Sequence, residues 1–88
     1  MFAMFDSFGT WLQEQHDRKG AVGDFARITW LSFTSGDCPY YSHALEWRDH
    51  YKKTLSDDKY ERLIANLKIA FKTYAEEVLH LNDPVHVP

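Results

Sequence analysis

Apolar residues recur at helical spacing along most of the chain, and turn-forming residues divide this pattern into segments of helix length. The clearest breaks are Gly20 with Gly23, the stretch 35–39 and the stretch 82–84. No segment alternates apolar and polar residues with the two-residue period of a strand. The pattern therefore predicts an all-α protein.

The first two helices are predicted before residue 36. Ser7 is a favourable N-cap, and the apolar residues after it predict a helix over about residues 7–18 that ends at the turn around Gly20. The second helix has Asp24 in its first turn or as its cap and ends near residues 33–35. Its apolar residues cover a broad surface, which is typical of a nearly buried helix.

Two further helices follow the turn at 36–39. Apolar side chains at helical spacing between Tyr41 and Leu55 predict the third. Ser56, with two aspartates after it, is a strong start signal for the fourth and longest helix. That helix is expected to run to about His80, with a length of about 35 Å at 1.5 Å per residue, and Pro84 prevents its continuation.

Short loops and unequal helix lengths favour a compact, irregular (orthogonal) four-helix bundle with a long C-terminal helix. Residues 1–83 are predicted to form one domain and residues 84–88 a short extended tail. The chain has 88 residues, of which 44% are hydrophobic and 16% aromatic, so it is large and apolar enough to bury roughly two thirds of its surface. We expect a folded domain.

Three short blocks of the sequence share the pattern of a known family. They are Ser7-Phe8-x-x-Trp11-Leu12, the stretch 21–26 and Ala70-Phe71-x-x-Tyr74-x-x-Glu77-Val78. Together they resemble the YozE-like family of small bacterial proteins, whose fold is described as sterile-alpha-motif-like (SAM-like). The loop at 34–41 departs from the family pattern, and the region 52–67 is longer. The resemblance implies a SAM-like helical bundle in a family without an established biochemical role.

Charge and cysteine content narrow the range of functions that the sequence allows. The formal net charge of −3 is weakly against a dedicated nonspecific nucleic-acid binder, which is normally basic. Cys38 is the single cysteine, which excludes an internal disulfide framework and fits a cytoplasmic protein. Residues 1–8 are apolar but short, contain Asp6 and have no basic flank, so neither a signal peptide nor membrane association is predicted.

Catalytic and metal-binding patterns are weak. The five histidines and Cys38 contain no Cys-x-x-Cys or His-x-x-x-His pair, so no metal and no cofactor are expected. The thiol of Cys38 lies next to Asp37, which disfavours a reactive thiolate. Gly20 and Gly23 lack the other residues of a phosphate-binding loop. We predict that the chain is not an enzyme and has no evident small-molecule substrate.

Aromatic content suggests a different function. Tyr40, Tyr41 and Trp47 exceed what a small core obviously needs, as do Phe2 and Phe5. Since Trp and Tyr are enriched at binding hot spots, the sequence predicts a small protein-interaction or regulatory module whose partner is another protein or a second copy. The alternative that the large rings fill the core is about as well supported, and its members are Trp11, Trp30, Trp47, Phe25 and Phe71.

Basic residues form a second candidate site, around the junction of the third and fourth helices. They are Arg48, Lys52, Lys53, Lys59 and Arg62. A helix start with neighbouring lysines can bind a phosphate backbone, so a nucleic-acid-associated protein is the alternative function. Acidic residues interleave with these cations, which favours a solvated face with weak ion pairs over a binding site.

Overall fold

Four α-helices follow one another along residues 7–79, the part of the chain that the computed structural model describes. They are α1 (Phe8–Gln13), α2 (Ala21–Thr34), α3 (Ala44–Thr54) and α4 (Asp57–Glu77). Helix accounts for 71% of these residues, and none of them forms a strand. The predicted all-α bundle with a long last helix is confirmed. The predicted helix end at His80 and the tail at 84–88 lie outside the described residues.

Local capping explains where two of the helices begin. The Ser7 hydroxyl accepts a hydrogen bond from the Thr10 amide at 3.1 Å, as an N-cap side chain does. Ser56 accepts from the Lys59 amide at 3.4 Å, and two aspartates occupy the first turn of α4. Both caps were predicted from the sequence, and both are confirmed.

Two other helix ends, the end of α1 and the start of α3, differ from the sequence prediction, and the start of α2 agrees with one of the two predicted positions of Asp24. Helix α1 ends at Gln13, because Glu14 and Gln15 donate backbone bonds only three residues back and tighten the chain into turns. Helix α2 begins at Ala21, so Asp24 lies in its first turn and Gly20 is the N-cap, with a φ of 85°. Helix α3 starts at Ala44 rather than near Tyr41, with His43 as its cap.

One hydrophobic core connects all four helices. Each contributes a side chain with no exposed surface: Leu12 from α1, Phe25 from α2, Trp47 from α3 and Leu67 from α4. On α4 the buried residues recur at the spacing of one helical face, as the apolar pattern predicted. The helices therefore pack by their apolar stripes around a single centre.

No helix within residues 7–79 is long and apolar enough to span a bilayer.

Candidate protein-interaction surface

The three aromatic residues predicted as an interaction site lie together around the start of α3. The ring of Trp47 is 5.0 Å from that of Tyr40 and 5.0 Å from that of Tyr41, and its indole N–H donates to the Tyr41 carbonyl at 3.1 Å. Trp47 is fully buried, however, whereas the two tyrosines are half-buried. Trp47 is therefore a core residue with its one polar group satisfied, which corrects its assignment to an accessible patch.

The exposed aromatic rings lie on α2, beside Tyr40. Trp30 is 46% exposed and Phe33 is 40% exposed, and their ring centroids are 5.5 Å apart. Tyr40 packs against both, at 6.1 Å from Trp30 and 5.8 Å from Phe33. Leu31, beside them on α2, is 66% exposed. We call Trp30, Leu31, Phe33 and Tyr40 the aromatic surface.

Helix α2 exposes these side chains because it is apolar on more than one side. Its buried residues include Val22, Phe25, Ala26 and Thr29, which recur at the spacing of one face. Trp30 lies beside that face, and Leu31 lies opposite it. Phe33 continues the face into the last turn of α2, and nothing in the described bundle covers these three side chains fully. The prediction of a nearly buried helix is thus wrong. The broad apolar pattern of the segment reflects apolar residues on a second side of the helix, which the other helices leave uncovered.

Of the other rings considered for the core, Phe25 is fully buried, while Trp11 and Phe71 are half-buried against the core. Phe2 and Phe5 lie outside the described residues.

Two hydroxyl pairs hold the surroundings of the aromatic surface in place. The Tyr40 hydroxyl shares a 3.3 Å hydrogen bond with the buried hydroxyl of Thr29, which itself donates to the Ala26 carbonyl at 2.8 Å. The Tyr51 hydroxyl lies 2.7 Å from that of Ser32. Burial raises the pKa of Tyr40 and raises that of Tyr51 to about 12, so both remain neutral donors in ordinary buffers. The side chains beneath the aromatic surface are therefore tied together by hydrogen bonds.

Two recesses flank Leu31. One, of about 450 Å³, lies between the end of α1 and α2 and is lined by Gln13, His16, Ala26, Arg27, Trp30 and Leu31. The other, of about 380 Å³, lies at the end of α2 and is lined by Ile28, Leu31, Ser32, Thr34, Ser35 and Asp37. Both are large enough for an apolar side chain of a bound protein.

Charged side chains line both recesses beside Leu31. Arg27, in the first recess, pairs with Asp24 at 2.5 Å and donates to the His16 carbonyl at 2.6 Å. Asp37, in the second recess, has no basic group within 4.0 Å among the described residues. The first recess thus borders a neutral ion pair, whereas the second contains a carboxylate without a basic partner among the described residues.

The predicted basic site is partly neutralised. Arg48 pairs with Asp49 at 3.1 Å, and Arg62 pairs with Asp58 at 2.7 Å. Lys52, Lys53 and Lys59 are exposed and have no acidic group within 4.0 Å in the stretch 7–79. Lys59 and Arg62 also line a shallow recess of about 240 Å³ with Ile28, Leu63 and Asn66.

Side chains with catalytic or metal-binding chemistry are dispersed. Within residues 7–79 no three side chains of His, Cys, Asp and Glu come together as a metal site would require. Burial and the neighbouring Asp37 carboxylate raise the pKa of the Cys38 thiol, which favours its unreactive protonated form.

Comparisons with protein-family models, with curated proteins and with solved structures find no match. The YozE-like resemblance therefore stays a prediction.

Proposed function

We propose that this chain is a small non-enzymatic protein-interaction or regulatory module that binds its partner through the aromatic surface. The observation that carries the proposal is the exposure of Trp30, Leu31 and Phe33 in the C-terminal half of α2, with two recesses beside Leu31. Exposed aromatic rings that adjoin pockets have the composition and shape of binding hot spots.

The support beneath the surface favours binding as well. Covering a Trp, Leu or Phe side chain contributes on the order of 2 kcal/mol each. Trp30, Leu31 and Phe33 belong to a 14-residue helix that packs into the core, and Tyr40 is bonded to buried Thr29. The backbone that carries these side chains is already helical, so less of this energy is offset by ordering the backbone on binding.

The experiment is an affinity capture from lysate with three forms of the protein: the wild type, Leu31→Glu and Leu45→Glu. Leu45 is a matched control because it is 50% exposed but lies on α3. Circular dichroism first checks that each variant is folded. We expect a protein partner that survives nuclease and raised salt, is kept by Leu45→Glu and is lost by Leu31→Glu.

Hydrogen exchange then locates the contact on the captured complex. Slower amide exchange in residues 27–35 on binding supports the aromatic surface. If Leu31→Glu retains every partner that the wild type retains, the proposal is wrong.

Nucleic-acid binding is the second candidate function, favoured by the three lysines of the basic site that lack an acidic partner. The matching test is the combined change of Lys52, Lys53, Lys59 and Arg62 to Ala. If this function is right, the wild type binds DNA or RNA with an affinity that falls steeply with salt, and the variant loses that binding. An unchanged affinity in the variant would exclude the basic site.

We also propose that the module is cytoplasmic. Its single cysteine, Cys38, is half-buried and protonated and cannot form an internal disulfide, so the fold does not depend on an oxidising compartment. We propose membership of the YozE-like family as well, because the sequence blocks that resemble this family contribute core residues such as Phe8, Leu12 and Tyr74. Recovery of the tagged protein in a membrane or secreted fraction would contradict this placement.

A further inference from the structure

We infer that residues 1–6 of this chain lie across the exposed rings of Trp30 and Phe33, and that a partner must displace them to bind the aromatic surface. The displacement rests on the proposed function, because it uses the same surface, whereas the contact itself does not. Three observations carry the inference: the position at which α1 begins, the apolar sequence of residues 1–6, and the limited area of the exposed rings.

Trp30, Phe33 and Tyr40 form one continuous group of rings, which we call the ring cluster. Its three ring centroids lie between 5.5 and 6.1 Å apart. Trp30 and Phe33 are three residues apart on α2, so their side chains are neighbours along the helix, and Tyr40 packs against both. Leu31 lies on another side of α2 and is not part of the ring cluster. A segment that covers the ring cluster therefore meets a single apolar surface.

Helices α1 and α2 run in opposite directions, which places the start of α1 near the end of α2. Arg27 donates to the His16 carbonyl at 2.6 Å. Gln13, three residues before His16, lines a recess together with Trp30, three residues after Arg27. Going back along α1 thus corresponds to going forward along α2. Ser7, the first described residue, therefore lies towards the C-terminal end of α2, which carries the ring cluster.

The start of α1 is also joined directly to the segment that carries Tyr40. The Gly9 amide donates to the Ser42 carbonyl at 2.8 Å, and Ser42 lies two residues after Tyr40. A chain of six residues extends up to about 20 Å. The ring of Tyr40 is at most 6.1 Å from the other two rings of the cluster. Residues 1–6 are therefore long enough to cross all three rings.

The sequence of residues 1–6 suits an apolar surface. Four of these six residues have large apolar side chains, namely Met1, Phe2, Met4 and Phe5. Apolar side chains gain free energy when they cover one another and exclude water. Residues 1–6 and the ring cluster therefore stabilise each other when they are in contact.

The other candidate segment of the chain, residues 80–88, follows the opposite end of α2. Glu77, the last residue of α4, is bonded to Arg18 in the turn before α2. Helix α2 has 14 residues, which corresponds to a length of about 21 Å between this turn and the far end of the helix. Residues 80–88 also contain a smaller share of large apolar side chains. Residues 1–6 are therefore the better occupant.

The area of the ring cluster also suits a segment of the same chain. At 46% and 40% exposure, Trp30 and Phe33 present up to about 200 Å², by the usual size of aromatic side chains. A separate molecule covers about 800 Å² in a stable complex. A segment joined by a short linker needs far less area, because its effective concentration is roughly millimolar. A partner that also covers Leu31 and its two recesses has the additional area that displacement requires.

The first test observes the indole N–H of Trp30 by NMR in the full chain, with its signal assigned through Trp30→Phe. The compared variant carries Phe2→Ser and Phe5→Ser. In the wild type we expect nuclear Overhauser contacts from the rings of Phe2 or Phe5 to Trp30. In the variant, broadening of the Trp30 signal by a soluble gadolinium chelate should rise at least about twofold, because the ring is uncovered. No contact and equal broadening in both proteins overturn the inference.

Trp47 is the internal reference of this experiment. Its ring is fully buried, and its indole N–H donates to the Tyr41 carbonyl at 3.1 Å. The Trp47 signal should therefore be broadened equally in the wild type and in the variant. A parallel rise at Trp47 and Trp30 would show a loosened fold and would overturn the assignment of the effect to residues 1–6.

A second variant, Val85→Ser with Val87→Ser, is the matched control at the other end of the chain. It also replaces two apolar residues outside the described part by serine, and it should leave the Trp30 signal unchanged. If it uncovers Trp30 and the variant of residues 2 and 5 does not, residues 80–88 are the occupant and the inference is wrong.

Dilution shows whether the contact lies within one molecule. The protection of Trp30 should be equal at about 50 μM and about 1 mM, because the concentration of a tethered segment does not depend on that of the protein. Protection that disappears on dilution would place residues 1–6 on a second copy and overturn the inference.

The last experiment tests displacement with the partner identified by capture. The variant with Phe2→Ser and Phe5→Ser should bind this partner at least about threefold more tightly than the wild type does, because a larger fraction of the protein has an open surface. An equal affinity overturns the displacement. If Leu31→Glu retains every partner, the proposed function fails, and the NMR experiment still decides the contact between residues 1–6 and the ring cluster.

Discussion

The hydroxyls of Tyr40 and Tyr51 make hydrogen bonds to α2 among mostly apolar side chains. Tyr51, which is 5% exposed, reaches from α3 to the Ser32 hydroxyl on α2, and Ser32 in turn donates to the Ile28 carbonyl at 3.1 Å. Each hydroxyl thus has a partner, which is what a buried polar group needs to avoid a desolvation cost. The same burial makes the ionised form of Tyr51 unfavourable.

We predict that the protein loses stability at alkaline pH through Tyr51. Its pKa is about 12 in the folded state against 10.0 in the unfolded chain, so its proton leaves the unfolded state first. The contribution of Tyr51 is complete below pH 10 and is lost between pH 10 and 12, by roughly 2 kcal/mol. Urea unfolding at a series of pH values from 8 to 12 measures this loss.

Tyr51→Phe is the matched variant for that series. It should cost about 1 kcal/mol at pH 7, because the hydrogen bond to Ser32 is gone. Above pH 10 its free energy of unfolding should fall less steeply than that of the wild type. Equal slopes for the two proteins would contradict the role of Tyr51.

Helix α1 shows how a short element depends on its neighbours. It has six residues, too few to be stable alone, and the amide of Gly9 donates to the Ser42 carbonyl at 2.8 Å in the segment before α3. A side-chain carbon at residue 9 would lie only 2.2 Å from the Tyr41 carbonyl oxygen. That carbonyl also accepts the indole N–H of Trp47, so α1, the loop and the core are joined at one point.

We predict that Gly9→Ala destabilises the fold by about 1–3 kcal/mol, because the loop must move away. In an isolated helix the same change would be stabilising by up to about 1 kcal/mol, so the sign of the effect separates packing from helix propensity. Thermal or urea unfolding gives the sign, and Trp fluorescence reports the surroundings of Trp47.

Gly36→Ala is the control for that experiment. Residue 36 has open space around it but a φ of 86°, so its cost is backbone strain of about 1–2 kcal/mol with no displaced loop and no change around Trp47. A Gly9→Ala protein as stable as the wild type would show that α1 does not need the close approach.

At the scale of the whole molecule, an ion pair between Arg18 and Glu77 joins the turn after α1 to the end of α4. The Arg18 guanidinium binds both carboxylate oxygens of Glu77, at 3.1 and 2.5 Å, across 59 residues of sequence. This bidentate contact connects the turn after α1 to the last residue of α4. The hydrogen bond from Arg18 lowers the pKa of Glu77.

We predict that Glu77→Gln reduces stability by less than about 1 kcal/mol at pH 7, because both side chains are roughly 40% exposed and water screens the pair. Since the pKa of Glu77 is lowered by folding, its contribution is complete above the pKa of about 4.3 of an unfolded Glu and disappears as the pH falls through its folded value. Unfolding curves at pH 7, 5, 4 and 3 measure this loss.

Glu76→Gln is the control, because Glu76 is the exposed neighbour without an ion pair among residues 7–79. It should change stability at pH 7 less than Glu77→Gln does. The prediction is wrong if the difference in stability between Glu77→Gln and the wild type is the same at pH 7 and pH 3.

Local chemistry was enough to predict much of this fold. Capping by Ser7 and Ser56, the turn at Gly36 and the apolar stripe of α4 depend on residues within a few positions of one another. Such signals can be read from the chain directly, because the groups involved meet whenever the helix or turn forms. The all-α class and the approximate extents of α2, α3 and α4 follow from them.

Long-range packing decided which aromatic rings are buried, and with them the candidate site. Trp30 and Trp47 both lie in helical, partly apolar segments, yet Trp47 is fully buried and Trp30 is 46% exposed. Helix α2 carries more apolar surface than its neighbours can cover, and its contacts with the other helices and with Tyr40 determine which side stays open. Burial is a property of the assembled neighbours, so periodicity within one segment could not assign it.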